Sequence, residues 1–433
     1  MARGKVAKKC AKAMKPSGVA WLDDIPAGWE VSFLAQVVSQ VKERNDGLRE
    51  KNLLSLSYGK IKRKPIDTIG GLLPATFDGY NVIAANDIVL RLTDLQNDQH
   101  SLRVGLSHER GIITSAYTTL RPSEGVDARS LFYLLYAFDI RKGFYGMGAG
   151  VRQSLKYDEV KVLPIVLPPL PEQRAIADYL DEKCGVIDAA IAEAKKGIEE
   201  YKAWKISLID DVVCNGIVRH KCRKETGEVW LTDIPDEWEF TQIRYLFALR
   251  DERNDKPLKD VNLISLYTDK GVVQHADLEK TTGNKASTAD GYKLVYENDI
   301  VVNIILCWMG AVGRSAYNGV TSPAYDVYRP INPTKVLSRY YHYLFRTPRF
   351  NGKCYEEGRG IMMMRWRTYS SEFRAIKVPV PPIEEQRTIA DYLDDKCAAI
   401  DAIVAEKETL IVDLESYKKS LIYETVTGKR EVA

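Results

Sequence analysis

The stretch PPLPEQRAIADYLDEKCGVIDAAI, beginning at Pro168, returns as PPIEEQRTIADYLDDKCAAIDAIV, beginning at Pro381. Gln173 and Gln386 stand 213 positions apart, and at that offset Arg174 and Arg387, Asp178 and Asp391, Leu180 and Leu393, Cys184 and Cys397, and Asp188 and Asp401 coincide. Upstream, WLDDIPAGWE from Trp21 is matched by WLTDIPDEWE from Trp230, NDIV occurs at Asn86 and Asn298, and SAY at Ser115 is echoed by SPAY at Ser322. The order is kept from end to end, so the chain reads as two copies of about 210 residues, each a variable body followed by a shared tail. A chain of 433 residues is in any case too long for one ordinary domain.

The bodies read as mixed α/β (α+β). Short apolar runs bounded by turn residues, such as NLLSLS from Asn52, NDIVLRL from Asn86, NLISLY from Asn262 and NDIVVNIIL from Asn298, predict strands. ARSLFYLLYAF (Ala128 to Phe138) and SRYYHYLFR (Ser338 to Arg346) carry apolar residues at helical spacing. Each body closes on an extended Val/Ile/Pro run, where proline forbids a helix. A long helix then begins, with Glu172 and Glu384/Glu385 at the positive end of its dipole. Its apolar seam, spaced by fours and threes, is Leu180, Cys184, Ile187, Ile191, Ala194, Ile198, Tyr201, Lys205, Leu208 and Val212 in the first copy. The second copy gives Leu393, Cys397, Ile400, Val404, Lys407, Ile411, Leu414, Lys418 and Leu421. A seam this narrow suits one partner helix, and the obvious partner of each helix is the other. Some 43 residues at about 1.5 Å each make a rod of about 65 Å. Paired antiparallel, two such rods would hold the bodies apart in a pseudo-two-fold arrangement. The expected division is a basic, unstructured arm over 1–20, a first body over 21–171, a helix over 172–216, a second body over 217–383 and a second helix over 384–433.

Charge divides along the same lines. The net value is only +3, yet residues 1–20 carry six basic and no acidic residues. Residues 172–214 hold 6 basic and 10 acidic residues, net −4, and residues 384–427 hold 5 and 11, net −6. The acidic tails and the more basic bodies are thus suited to different partners. No run of about 18 apolar residues predicts a membrane span, and the basic amino terminus lacks the apolar segment of a secretory signal. A soluble cytoplasmic protein is expected. The seven cysteines and five histidines show no metal-ligand spacing. There is no GxxxxGK[ST] phosphate loop, no GxSxG elbow and no HExxH helix, and GMGAG (Gly146 to Gly150) does not sit between a strand and a helix as a dinucleotide site would. The pattern is that of a reader, with no metal and no catalytic residues of its own.

Reading nucleic acid takes Arg and Lys for phosphates and for guanine, and Asn and Gln for adenine. In the first body the candidates are Lys60, Lys62, Arg63 and Lys64, then Arg91, Gln96, Asn97, Gln99 and Arg103, and finally Arg152 and Gln153. In the second they are Asn303, Arg314, Arg359, Arg365 and Arg367, the last two flanking Trp366. All lie in the parts that differ between the copies.

The doubled LPPLPEQRAIADYLDEK (Leu167 to Lys183) and VPPIEEQRTIADYLDDK (Val380 to Lys396), with LIDDVVCNG and LIYETVTGK after them and the WL.DIP..WE openings before, resemble the specificity subunits of Type I restriction-modification systems. The resemblance covers nearly the whole chain after residue 20. It implies two target-recognition domains, each reading half of a split sequence in double-stranded DNA, and two antiparallel helices that act as spacer and as docking surface for two methyltransferase subunits. Restriction and translocase subunits would join them. It also implies that the chain binds no cofactor: S-adenosylmethionine would belong to the methyltransferase, and ATP and Mg to the translocase. Glu172, Gln173, Arg174 and Glu385, Gln386, Arg387 would form a junction that orients each helix against its body. CNG at Cys214 departs from the TGK at Thr427 to Lys429, so the two helices are expected to end differently. The alternative is a stand-alone bipartite DNA-binding protein without enzymatic partners.

Overall fold

Short β-branched runs broken by Gly, Asn and Asp make short strands, and both copies make the same set. The computed structural model describes residues 13–66, 76–96, 98, 101–147, 154–218, 220–277, 288–360 and 366–432. The chain divides into two compact units, residues 1–194 with 409–433 and residues 195–408.

The first unit contains β1 (Met14–Pro16), β2 (Asp24–Pro26), β3 (Glu30–Phe33), α1 (Leu34–Val37), β4 (Val38–Val41), β5 (Leu54–Ser57), β6 (Lys60–Arg63), β7 (Asn81–Ile83), β8 (Ile88–Leu90), β9 (Val104–Leu106), β10 (Gly111–Ile113), β11 (Thr118–Pro122), α2 (Ala128–Ile140), α3 (Tyr157–Val160), β12 (Pro164–Leu167) and the start of α4 (Leu170–Asn215). A sheet of order β4-β11-β8-β9 is accompanied by the pairs β1-β2, β3-β12, β5-β6 and β7-β10. The second unit repeats this with β13 (Arg223–Glu225), β14 (Asp233–Pro235), β15 (Glu239–Gln242), β16 (Phe247–Leu249), β17 (Ile264–Tyr267), β18 (Gly271–Gln274), β19 (Lys293–Val295), β20 (Ile300–Asn303), β21 (Val312–Arg314), β22 (Gly319–Thr321), β23 (Tyr325–Pro330) and β24 (Lys377–Val380). Its sheet order is β16-β23-β20-β21, with pairs β13-β14, β15-β24, β17-β18 and β19-β22. Its helices are α5 (Ser338–Leu344), α6 (Pro348–Glu357), α7 (Ser370–Ala375) and α8 (Ile383–Val426).

The repeated motifs have structural reasons. In WL.DIP..WE the apolar residues all turn inward: Leu22, Ile25 and Trp29 in one copy, and Leu231, Ile234 and Trp238 in the other, are buried. In NDIV, Asn86 and Asn298 take left-handed backbone at φ 71° and 70°, a conformation asparagine tolerates better than most residues. The following Asp is buried and closes that turn. Asp87 accepts from Ala84 N at 2.7 Å, and Asp299 from Tyr296 N at 2.9 Å. Each buried carboxylate also needs a cation, and the copies solve this differently. Arg121 of β11 reaches Asp87 at 2.7 Å, whereas Arg250, just after β16, reaches Asp299 at 2.8 Å.

The expectation of an unstructured arm over residues 1–20 needs correction for its described part. Met14 and Lys15 pair with Pro26 and Ile25 in an antiparallel ladder, and Ala27 N donates to Ala13 O at 2.8 Å. Lysines do not prevent an edge strand when the backbone finds a partner, and β13-β14 is the same hairpin in the second copy. Residues 1–12 lie outside the described residues.

Both long helices start where proline ends an extended strand, and each is shared between the units. In the first unit α4 meets the carboxy-terminal part of α8. Leu180, Ile187 and Ile191 are buried with Leu421 and Ile422, and Ile411 and Leu414 pack against them. Lys418 Nζ lies 2.6 Å from Asp188. Burial pushes the Asp188 carboxyl up, but Lys418 and Lys60 outweigh it and hold it below its ordinary range. In the second unit Lys205 Nζ lies 2.7 Å from Asp401, and Lys407 sits over the Tyr201 ring at 5.8 Å. Leu393 and Ile400 are buried there, Ile198 is likewise buried, and Leu208 and Val404 are half-buried. Asp188 and Asp401 are one repeat position and Lys205 and Lys418 another, so each unit holds the same ion pair with the two segments exchanged. The seam lysines are thus accommodated because each head reaches an acid or a ring on the facing helix.

Candidate nucleic-acid interface

The glutamine of the repeated EQR motif is buried in both copies. Gln173 Oε1 accepts from Asp127 N at 2.8 Å, and its Nε2 donates to Pro168 O at 2.8 Å. Gln386 Oε1 accepts from Leu337 N at 2.9 Å, and its Nε2 donates to Lys335 O at 2.9 Å and Pro381 O at 2.8 Å. One side chain therefore ties the strand exit, the start of the long helix and the start of the body helix together. Glu385 accepts from Trp238 Nε1 at 2.8 Å and meets His220 Nε2 at 2.9 Å. Arg174 and Arg387 are exposed, Arg387 lying 2.6 Å from Glu384, while Glu172 is half-buried.

A second repeated contact was not anticipated from the sequence. The acids of ADYLD are gripped by an arginine and a tyrosine one turn apart on the body helix. Arg129 reaches Asp178 and Asp181 at 2.8 Å each, and Tyr133 OH donates to Asp181 at 2.7 Å. In the second unit Arg339 reaches Asp391 at 2.8 Å and also pairs with Asp394, to which Tyr343 OH donates at 2.5 Å. Burial and the adjacent carboxylate push both phenols far up, so they stay donors. The sequence did contain the signal, as Arg-x-x-x-Tyr at Arg129 and Arg339. Beside this contact each unit has a cleft, of about 460 Å³ with Tyr58, Phe132 and Tyr136 on its wall in the first, and about 820 Å³ with His342, Arg346 and Lys270 in the second. His342 Nδ1 accepts from Arg314 N at 3.1 Å, and burial lowers its pKa to about 3, so the ring is neutral.

The basic cluster of the first body lies on the β5-β6 hairpin, whose two-residue turn is Tyr58-Gly59. Lys60 lies 3.3 Å from Asp188, and Arg63 donates to Glu109 at 2.7 Å. Lys62 and Lys64 are exposed and, among the described residues, meet no acid. Arg91 lies 3.5 Å from Asp98, and Gln96 is exposed. Asn97, Gln99, Arg152, Gln153 and Arg365 lie outside the described residues.

Two candidates are corrected by burial. Arg103 is fully buried; its guanidinium donates to Thr93 O at 2.7 Å, Arg91 O and Asp94 O at 3.3 Å, and Tyr145 OH at 3.1 Å, and also to Asp98 O. It holds a loop together and cannot reach a phosphate. Asn303 is buried too, its Oδ1 accepting from Ile305 N at 3.0 Å and Leu306 N at 3.3 Å. Of the others, Arg314 donates to Asn298 Oδ1 at 2.8 Å, Arg359 pairs with Glu372, and Arg367 is exposed. Among the described residues no three His, Cys, Asp or Glu side chains gather as a metal site, and no helix is long and apolar enough to cross a membrane.

Residues 235–411 match the family model of the Type I restriction modification DNA specificity domain. The chain is 23% identical over 446 residues to a putative type I restriction enzyme MjaX specificity subunit of Methanocaldococcus jannaschii, covering 95% of this chain and 96% of that one. It is 21% identical to the type I restriction enzyme MjaVIII specificity subunit of the same organism, covering 94% of each. Over nearly its whole length the chain is therefore similar to Type I restriction-modification specificity subunits, which are DNA-specificity components and not catalytic ones. Its fold matches a chain of a type I R-M system studied for complex assembly and conformational transition, with TM-score 0.65 at 14% identity over 94% of this chain and 99% of that one. It also matches the HsdS subunit of Thermoanaerobacter tengcongensis, with TM-score 0.52 at 14% identity over 94% and 98%. A specificity subunit built as two like units with unlike loops accounts for why the repeated residues are structural ties and the basic ones are not repeated.

Proposed function

We propose that this specificity subunit reads a split site in double-stranded DNA, one half by each unit, while its two long helices set the number of unread base pairs and dock two methyltransferase subunits. Restriction and translocase subunits join that assembly. The methyltransferase supplies S-adenosylmethionine, the translocase ATP and Mg, and this chain binds none of them. The observation that carries the reading is the duplicated unit: the same strands, the same EQR tie and the same Asp–Lys helix pair occur twice, as a ligand with two half-sites demands. Of the candidate residues, Lys62 and Lys64 in one unit and Arg367 in the other are exposed with no acid partner among the described residues, and Arg359 is exposed but paired with Glu372. The acidic helices also leave Val186 and Tyr417 exposed in the first unit and Trp204 and Ile206 in the second, which suits a protein partner better than a phosphate backbone. Footprinting of the complex with its cognate methyltransferase is expected to give two protected tracts around an unread gap. One continuous protected site would overturn the bipartite reading, and copurification of no methyltransferase would leave the stand-alone binder in its place.

A further inference from the structure

Arg359 and Arg367 face each other across a short antiparallel bridge. Each N–H donates to the other's carbonyl at 2.9 Å, so they form a directly opposed pair with both side chains on the same face. Like charges in that position repel and weaken the pairing. Glu372 takes up one face of Arg359, but Arg367 is exposed and, among the described residues, has no acid partner. The bridge persists because its other face is fastened. Trp366 stacks on Tyr355 with centroids 4.8 Å apart and donates from Nε1 to Tyr355 O at 3.0 Å. Thr368 is buried, receiving nothing from solvent, and bonds to Ile304 O at 2.8 Å and Cys354 O at 2.9 Å. Gly358 completes the fit, since a Cβ there would fall 2.3 Å from Trp366 Nε1. Two cationic side chains, one of them paired with Glu372, are thus held on one face by the packing beneath them.

We propose that Arg359 and Arg367 are a phosphate clamp, gripping one phosphodiester of the DNA backbone from the second unit. The assignment rests on the reading of the chain as a DNA specificity subunit and adds the contact and its kind. A phosphodiester placed between the two guanidiniums gives Arg367 the anionic partner it lacks among the described residues and receives charge-assisted hydrogen bonds from both. The pair is peculiar to the second unit, because Ser154 occupies the place of Arg367 213 positions earlier. Its contribution is therefore to position that unit on the duplex, not to read a base.

The clamp makes stability and affinity move in opposite directions. With the full chain and a mixed-sequence duplex, Arg367→Gln is expected to weaken binding about 10-fold and to flatten the dependence of log affinity on log salt by about 0.9. Arg367→Glu should bind more weakly still, yet unfold about 1–3 °C higher, since it converts the repulsive pair into an attractive one. Both losses should be the same on the cognate duplex as on mixed sequence. Wild-type binding with an unchanged salt slope in both variants would overturn the clamp alone. A loss confined to the cognate duplex would also overturn it, in favour of base reading. If inorganic phosphate at matched ionic strength raised the melting temperature of wild type as much as duplex does, the site would be one for small anions. Absence of any salt-dependent duplex binding by wild type would overturn the DNA reading itself.

Discussion

Replacing Gln386 with leucine tests whether the repeated EQR motif is a structural tie. The side chain is fully buried and makes three hydrogen bonds, at 2.9, 2.9 and 2.8 Å, to Leu337 N, Lys335 O and Pro381 O. Leucine fills much the same volume but leaves one buried donor and two acceptors unpaired. At about 1 kcal/mol for each orphaned group, somewhat more for the N–H, the loss is about 3–4 kcal/mol. Gln173→Leu breaks only two such bonds, to Asp127 N and Pro168 O, and is expected to lose about 2–3 kcal/mol. Urea unfolding followed by hydrogen exchange and mass spectrometry measures both size and place. Peptides covering Leu337 should lose protection in the first variant and peptides covering Asp127 in the second, each with the other unit unaffected. DNA affinity of the folded fraction should not change. A destabilisation below about 1 kcal/mol in Gln386→Leu, or lost DNA affinity without lost protection, would refute the reasoning and give the motif a ligand instead.

Other consequences are as direct. Burial raises the Asp139 carboxyl to about 6, against Arg103 N and its charge, so the unfolded state gives up its proton first and the first unit loses stability as pH rises from about 4 to 6, by roughly 3 kcal/mol at 1.4 per pH unit. His342, lowered to about 3 by burial, has the opposite sign: the unfolded state takes up the proton first, so the second unit loses stability as pH falls from about 6.5, by up to about 4–5 kcal/mol near pH 3. Unit-resolved unfolding between pH 4 and 7 should show the two trends opposed, and Asp139→Asn and His342→Asn should each flatten its own. Arg103→Met strands several loop carbonyls and is expected to cost about 3–5 kcal/mol, seen in urea melts and as proteolysis between residues 91 and 101; unchanged stability would return Arg103 to the surface candidates. Lys205→Glu and Asp401→Lys, whose partners are partly exposed, should each cost at most about 1 kcal/mol and restore one another when combined.

How much of this was legible follows from which forces are periodic. The seam from Leu180 to Leu421 and the paired motifs are written at fixed spacing, because a helix repeats its own geometry, and Ile187, Ile191, Leu393 and Ile400 are buried as that spacing requires. The junction role of Gln173 came only with the family resemblance, and the roles of Asp181 and Asp87 were not legible: all three look like chemistry in a string of letters, yet each is bonded to a residue dozens of positions away. Residue type misled in the candidate interface for the same reason: Arg103 and Asn303 have the side chains that read DNA, and only burial shows that they bind their own loops. Lys62, Lys64 and Arg367 could be named by type but not told apart from them. Tyr133 and Tyr343 were missed because their signal is a pair of residues on one helix answering a pair on another.

The division into units carries a consequence for how the protein is made. The second unit is one uninterrupted segment, residues 195–408, whereas the first needs residues 1–194 and 409–433 together. On the ribosome the amino-terminal body emerges first, but Ile187 and Ile191 must wait for Leu421 and Ile422, more than two hundred residues of synthesis later. A later segment completes an earlier one. The second unit therefore finishes folding ahead of the first, and through that interval the early α4 segment travels with its apolar stripe bare.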